Sequence, residues 1–324
     1  MTPVLHPPIR IAVVGAGHHS RAFHLPALSH FDRQHPGSVI RAALVDSNLA
    51  TATAAAAEFG FEAAYASADE MLAAARPEAC LVITPVELNA AIATQLARDS
   101  LPLLMEKPPG ASIVEARKLV ADLAAVDARV MVSMNRRFDP LLRAALDWIG
   151  PRPIRQVKAT MARQARTEPK FVEHTGLHVV DAVRAIGGEV ASCRPSRQNG
   201  HGGEWFQAEL AFAGGVTALV DLMPRAGANS EFLKILGDDF RVEIRSAEFD
   251  RGGWRAWLGG RLEKDETLPR STPMFFANGT FAETEAFIRA LRTGRGFSPT
   301  PADVLPAMEI CHQMEAARSA KLIS

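Results

Sequence analysis

The sequence predicts an α/β domain built on a doubly wound parallel sheet, followed by an α+β domain with a large, open, mainly antiparallel sheet. Two observations support this prediction. Over the first 135 of the 324 residues, short apolar runs alternate with alanine-rich helical stretches, a pattern typical of repeated β–α–β units. After residue 136 the runs alternate between apolar and polar side chains, as strands do when only one face is buried. We therefore expect domains at residues 1–135 and 136–324.

The first domain is predicted to contain five strands and five helices. The apolar runs are Ile9–Val14, Val39–Val45, Ala79–Ile83, Pro102–Met105 and Arg129–Val132. The helical stretches are Arg21–Phe31, Leu49–Phe59, Ala68–Ala75, Glu87–Arg98 and Ile113–Ala125. Because the runs are apolar almost throughout, helices should cover both faces of the sheet, as they do in parallel sheets.

The second domain is predicted to contain two hairpins and two helices. The paired runs are Glu204–Phe212 with Val216–Leu222, and Phe232–Leu236 with Phe240–Ile244. The helices are predicted at Phe281–Leu291 and Val304–Ala316. Turn residues between alternating runs are a strong hairpin signal, and so few helices can cover only one face of the sheet. Since an open face with apolar content usually marks an interface, we expect a homodimer or a dimer of dimers through this sheet.

The composition argues against several classes of partner. Lys+Arg and Asp+Glu both number 36, so the chain lacks the basic surface of a general nucleic-acid binder or of a protein held to anionic lipid. No apolar run approaches the roughly 18 residues of a membrane span, and no secretory signal pattern is present. The three cysteines are far apart and predict no disulfide framework. We expect a cytoplasmic protein that acts on a small molecule.

A glycine-rich turn follows the first strand. Gly15-Ala16-Gly17-His18-His19-Ser20 matches the motif G-x-G-x-x-G, with serine at the third glycine. In this motif the first glycine forms the tight turn, and the second lets a pyrophosphate approach the backbone at a helix N-terminus. Because a helical stretch follows, we predict a dinucleotide site that includes His18 and His19. A simple tight turn is the alternative interpretation.

Asp46 follows the second strand. A carboxylate at this position accepts hydrogen bonds from the adenine-ribose hydroxyls and repels a 2′-phosphate. It therefore predicts NAD rather than NADP as the cofactor. Asp46 could also cap the helix that follows, and the two functions are compatible.

Glu106-Lys107-Pro108 follows the run Pro102–Met105. The carboxyl ends of parallel strands face the ligand crevice, so Lys107 is expected near the nicotinamide. With Gly15-Ala16-Gly17, Thr84-Pro85 and Asn135-Arg136-Arg137-Phe138 in this order, the sequence resembles the Gfo/Idh/MocA family of oxidoreductases, relatives of glucose–fructose oxidoreductase and inositol dehydrogenase.

The resemblance implies a Rossmann domain that binds NAD, a catalytic lysine at Lys107, and Thr84, Pro85 and Glu106 beside the cofactor. It also implies a D-x-x-x-H motif in the second domain, for which His174-Thr175-Gly176-Leu177-His178 is the match. His178 takes the catalytic histidine position, and His174 stands at the aspartate position. The family's T-P-x-x-x-H pattern ends here in Asn89.

Lysine and histidine suit the oxidation of a secondary alcohol. Imidazole titrates near neutral pH, and an ammonium group stabilises the developing alkoxide. Lys107 and His178 are therefore assigned to proton handling and charge stabilisation. His174, Arg163 and Asp181 are the candidate substrate-binding residues, with Asp181 expected to orient the helix rather than to react.

Several alternatives remain open at this point. His174 and His178 are spaced like a metal-binding pair, but the glutamate of H-E-x-x-H is missing, so no metal is expected. Arg163 could lie on a solvated basic loop. The main hypothesis is an NAD-dependent oxidoreductase acting on a hydroxyl of a sugar, cyclitol or similar polyol. The competing hypotheses are a dinucleotide-binding sensor without turnover, and a glycoside hydrolase that uses NAD for transient oxidation.

Overall fold

A computed structural model describes residues 7–200, 203–249 and 251–318. The described chain forms two compact units. The first contains residues 7–133 and Thr280–Leu305, and the second contains Met134–Gly279 and the residues from Pro306 onward. The sequence predicted one boundary near residue 135 and an uninterrupted second domain. The structure differs, because the segment Thr280–Leu305 returns to the first unit.

The first unit contains a six-stranded parallel sheet. Its strands are β1 (Ile9–Val14), β2 (Val39–Val45), β3 (Ala63–Tyr65), β4 (Ala79–Val82), β5 (Leu103–Glu106) and β6 (Val130–Ser133). Its helices, numbered in chain order, are α1 (Leu25–Gln34), α2 (Leu49–Phe59), α3 (Ala68–Ala75), α4 (Val86–Arg98), α5 (Ile113–Ala124) and α9 (Thr280–Thr293), with a π-helix at Ser20–His24 before α1. The strand order β3-β2-β1-β4-β5-β6 is that of a Rossmann fold. The predicted doubly wound sheet is confirmed.

Local sequence explains how these elements begin and where they pack. Asn48, Ser67 and Ser112 each accept a hydrogen bond from the backbone three residues later and so cap α2, α3 and α5. Every residue of β4, β5 and β6 is buried, as expected for strands covered on both faces.

Helix α9 accounts for the return of the chain to the first unit. It contacts α1, the π-helix and β6. The buried Ser133 donates a hydrogen bond of 2.7 Å to Glu283, whose side chain is also buried. His30 packs edge-on against Phe281. These contacts between residues far apart in sequence attach α9 to the first unit.

The second unit contains an eight-stranded sheet in the order β14-β13-β12-β11-β7-β10-β9-β8. Its strands are β7 (Ile154–Ala162), β8 (Val190–Gly200), β9 (Gly203–Phe212), β10 (Thr217–Met223), β11 (Ser230–Gly237), β12 (Phe240–Arg245), β13 (Gly253–Leu258) and β14 (Arg261–Thr267). Its helices are α6 (Pro140–Ile149), α7 (Leu177–Gly187), α8 (Met274–Ala277) and the second half of α10 (Pro301–Ala316), with a 3₁₀ turn at Asn135–Phe138 and a π-helix at Val172–Gly176. Among the described residues of this unit, β7 and β10 are the one pair of parallel strands, so the mainly antiparallel sheet is confirmed.

Both predicted hairpins are present, as β9 with β10 and β11 with β12. Buried residues alternate with more exposed ones along β9, β10 and β12. One face of the sheet packs on α6, where Leu141, Leu142 and Trp254 share a core. The other face carries charged side chains and the exposed aromatic residues Trp205 and Phe232. Among the described residues, no helix combines the length and apolar character that a membrane crossing requires.

Candidate active site

Four adjacent strands of the first sheet, β2, β1, β4 and β5, end at one edge. Asp46 follows β2, Gly15 follows β1, Thr84 lies just beyond β4, and Lys107 follows β5. Neighbouring strands lie about 4.8 Å apart, so the topology places these residues in one row. The row crosses the point where the chain changes direction between β1 and β4, which is where α/β sheets bind ligands.

The turn after β1 requires its first glycine. Gly15 has a φ of +104°, and a Cβ there would lie 2.0 Å from the carbonyl oxygen of Ile83. Gly17 faces open space, because a Cβ there would meet nothing within 4 Å. Ser20, at the position of the third glycine, is buried at the start of the π-helix. One glycine therefore lets the backbone pack against β4, and the other leaves the turn accessible to a ligand.

Asp46 supports this turn directly. Its two carboxylate oxygens each accept a hydrogen bond of 3.0 Å, one from the backbone N–H of Ala16 and the other from that of Asn48. The helix-cap interpretation of Asp46 is wrong, because Asn48 caps α2 by accepting from the N–H of Thr51. Asp46 is half-buried and retains lone pairs for further donors.

Glu106 joins the glycine turn to the end of β5. One of its carboxylate oxygens lies 3.0 Å from Nε2 of His19 and 2.9 Å from Nε2 of His24, and the other accepts from the N–H of Lys107 at 3.0 Å. Burial lowers the pKa of His24. Burial alone would raise the pKa of Glu106, but the charge and hydrogen bonds of His19 and His24 hold that pKa well below its usual range.

Asn89 holds the backbone on both sides of Lys107. It is fully buried, and its amide nitrogen donates to the carbonyl of Glu106 and, at 3.3 Å, to that of Pro108. The asparagine that ends the pattern Thr84-Pro85-x-x-x-Asn89 is therefore a positioning residue for the Lys107 segment. Lys107 itself is half-buried.

His174 and His178 lie on one helical segment of the second unit, whose first turn is a π-helix. His174 is in this turn, His178 is in α7, and both are half-buried. Single π-helical turns are frequent at functional sites. Asp181 is completely buried and accepts two hydrogen bonds from the guanidinium of Arg137, at 2.7 and 2.6 Å. This buried ion pair ties Asp181 on α7 to Arg137, and substrate binding by Asp181 stays a prediction.

Two expectations for Arg163 are corrected by the structure. Arg163 follows β7, is only 4% exposed, and is therefore not on a solvated loop. Its guanidinium donates to the buried Glu231 and stacks 4.1 Å over the ring of Phe249. Arg136 donates to the same glutamate at 3.0 Å. Arg163 thus belongs to a buried charge network and is not available as a substrate ligand.

The fold and the row of residues at its edge define a dinucleotide-binding Rossmann domain joined to a second α+β unit. Residues 9–134 match the family GFO_IDH_MocA, described as an oxidoreductase family with an NAD-binding Rossmann fold. The first unit is therefore similar to the NAD-binding domain of the Gfo/Idh/MocA oxidoreductases.

Individual relatives resemble the chain to different extents. Inositol 2-dehydrogenase 1 of Paenarthrobacter aurescens is 39% identical over 132 residues, which are 40% of this chain and 38% of that protein. D-apiose dehydrogenase of Paraburkholderia graminis is 28% identical over 270 residues, which are 74% of this chain and 70% of that protein. The chain thus spans about two fifths of the inositol dehydrogenase that it matches. A crystallised dehydrogenase from Chromobacterium violaceum has the same fold, with a TM-score of 0.86, 17% identity, and coverage of 96% of this chain and 95% of that one.

Proposed function

We propose that the chain is an NAD-dependent oxidoreductase that transfers hydride between a hydroxyl of a sugar, cyclitol or similar small polyol and the nicotinamide. The observation that carries the proposal is the row formed by Asp46, Gly15, Thr84 and Lys107 at the carboxyl edge of a Rossmann sheet. The matched relatives are named for inositol and D-apiose, and both are polyhydroxylated molecules. Their names support a polyol as the substrate class.

We assign different residues of the row to different parts of the cofactor. Gly15, Ala16, Gly17, His18 and His19 would hold the pyrophosphate, and Asp46 the adenine ribose. Thr84, Pro85 and Glu106 complete the cofactor set toward Lys107. NAD, when bound, accepts the hydride. The open space at Gly17 and the free lone pairs of Asp46 fit these functions.

Lys107 and His178 carry the proton chemistry in this proposal. The Lys107 ammonium would stabilise negative charge on the substrate oxygen, and the His178 imidazole would take the hydroxyl proton. His174 would orient a second hydroxyl.

A panel of inositols, aldoses and alditols tests the proposal. The purified chain is incubated with NAD and each compound, and NADH absorbance is followed. We expect reduction of NAD with at least one polyol, and slower reduction with the Lys107→Ala variant. If NAD binds but no polyol reduces it, the chain is a dinucleotide sensor. Release of sugar from a glycoside without net NADH would instead indicate the hydrolase.

The two glycines of the turn should respond differently to alanine. Gly15→Ala is expected to destabilise the chain by more than about 1 kcal/mol, because of its positive φ and the contact with Ile83. Gly17→Ala should leave the melting temperature unchanged but weaken NAD binding, since its Cβ would stand where the pyrophosphate approaches. Thermal unfolding and calorimetric NAD titration measure the two effects. Full NAD affinity in Gly17→Ala would contradict the assignment.

Asp46 should set the preference for NAD over NADP. Asp46→Ala is expected to lower the ratio of NAD affinity to NADP affinity by about 10- to 100-fold. The reason is that hydrogen bonds to a charged group contribute about 1.5–3 kcal/mol. NAD affinity should also fall, because Asp46 accepts from Ala16 in the turn. Fluorescence titration with both cofactors measures the ratio. Asp99→Ala, at the exposed C-terminal end of α4, is the control, and tighter NADP binding by the unmodified chain would refute the prediction.

We further propose that the open face of the eight-stranded sheet pairs two copies of the chain, as a homodimer or a dimer of dimers. The exposed Phe232 and Trp205 on this face support it. Light scattering should give at least twice the 34.9 kDa of one chain. Phe232→Glu should shift the mass toward one chain, whereas Leu88→Glu, at an exposed position of α4, should not. A monomeric unmodified chain at micromolar concentration would refute the proposal.

A further inference from the structure

Three side chains with metal-ligating atoms meet in the first unit, and we call them the His–Glu cluster: His19, His24 and Glu106. One imidazole nitrogen from each histidine and one carboxylate oxygen all lie within 4.8 Å of one another. His19 comes from the glycine turn, His24 from the end of the π-helix, and Glu106 from the end of β5. The sequence drew attention only to His174 and His178 as a possible metal pair, because Glu106 is more than 80 residues from His19 and His24.

The donor set and its spacing suit one small cation. Two imidazole nitrogens and one carboxylate oxygen are ligands that Zn²⁺ commonly takes, at about 2.0–2.2 Å each. Tetrahedral bonds of that length place neighbouring ligand atoms about 3.3 Å apart. The carboxylate oxygen of Glu106 lies 3.0 and 2.9 Å from the two imidazole nitrogens. Small side-chain shifts would therefore bring the three atoms to ligating distances.

Two of the three side chains in the His–Glu cluster are buried, and the third is exposed to solvent. The side chains of His24 and Glu106 are 1% and 9% exposed, whereas that of His19 is 52% exposed. The second oxygen of Glu106 accepts a hydrogen bond from the N–H of Lys107 at 3.0 Å. This bond fixes the orientation of the carboxylate, and the ligands of protein-bound metals are commonly oriented by such hydrogen bonds. Solvent can reach the cluster from the His19 side, where a fourth ligand would bind.

We propose that His19, His24 and Glu106 form a binding site for a single Zn²⁺-type divalent cation, with three protein ligands and an open fourth position. Binding of a cation by these three ligands requires neither NAD nor substrate, so this proposal does not rest on the proposed redox function. It shares His19 and Glu106 with the proposed cofactor residues. Metal and NAD binding would then be linked, each changing the affinity of the other by the same factor.

Metal titration of the full, tag-free chain tests the proposal. After treatment with a chelator, ZnCl₂ is added in a calorimeter, and CoCl₂ is followed by visible absorption. We expect one ion per chain and an absorption spectrum typical of tetrahedral Co²⁺. His19→Ala should weaken Zn²⁺ binding by at least about tenfold, since even the loss of a residue that only hydrogen-bonds to a metal ligand weakens binding by about 10–100-fold.

Two further variants keep this test decisive. His35→Ala removes an exposed histidine at the end of α1, and should leave Zn²⁺ affinity unchanged. Glu106→Gln should weaken binding as His19→Ala does; if it fails to fold, the half-exposed His19 still provides the test. The proposal is overturned if no stoichiometric ion binds, or if His19→Ala binds Zn²⁺ as tightly as His35→Ala. Because no substrate is used, these outcomes do not depend on the oxidoreductase proposal.

Discussion

Replacing His178 by alanine is expected to lower the turnover of the proposed oxidoreductase by about 10²–10⁴-fold, the usual contribution of a positioned general base. NAD affinity should change little, because His178 lies outside the glycine turn and the strand ends that form the cofactor row. Steady-state kinetics with the best polyol of the panel, together with NAD titration, measure both quantities. An unchanged kcat would show that His178 is not the base.

Alanine variants of Lys107 and His174 distinguish charge stabilisation, hydroxyl orientation and base catalysis from one another. Lys107→Ala should lower turnover and weaken substrate binding together, because an ammonium group contacts the oxygen in both ground and transition states. If His174 only orients a hydroxyl, His174→Ala should raise KM more than it lowers kcat. If His174→Ala instead abolishes turnover while His178→Ala keeps most of it, then His174 is the base and the assignment made here is wrong.

Removal of Arg137 should have the largest effect on stability. Asp181 has no exposed surface and receives two hydrogen bonds from Arg137. Breaking a buried pair by removing one partner costs about 3–5 kcal/mol, because a charge stays uncompensated in the interior. Arg137→Ala should therefore destabilise the second unit by this amount. Turnover of the folded variant should also fall, since Asp181 lies one turn after His178 on α7.

Urea unfolding of Arg137→Ala provides the measurement, and Arg155→Ala is its control. Arg155 forms a comparable two-point pair with Asp238 on the surface, where both side chains are mostly exposed. Exposed pairs contribute little to stability, so this variant should unfold like the unmodified chain. Equal unfolding midpoints for the two variants would show that the buried pair does not hold α7.

Elements with a strong local pattern could be predicted from the sequence. The run Val39–Val45 coincides with β2, and Leu49–Phe59 coincides with α2, because apolar continuity and a capping Asn48 mark them. The strand β3 was not predicted, since three half-buried residues are too few for a recognisable period. The strand β7 was missed as well, because Arg155 and Lys158 interrupt its apolar residues, although it pairs with both β10 and β11.

The candidate site was predictable where it follows strand ends and unpredictable where it depends on tertiary contacts. Asp46 and Lys107 follow apolar strands, so their common edge could be inferred from the parallel topology. The hydrogen bonds from His24 and Asn89 to Glu106 join residues 82 and 17 positions apart, and no local pattern marks such pairs. Arg163 was misjudged for the same reason, because its partner Glu231 lies 68 positions away.

The return of Thr280–Leu305 to the first unit has a consequence for the biosynthesis of the chain. The ribosome produces all six strands of the parallel sheet before it has translated α9. Until then β6 and α1 lack the helix that contacts them, and Ser133 lacks its partner Glu283. The first unit therefore lacks α9 while the entire eight-stranded sheet is being translated, and a gene fragment that ends near residue 135 encodes the six parallel strands without the helix that contacts β6 and α1.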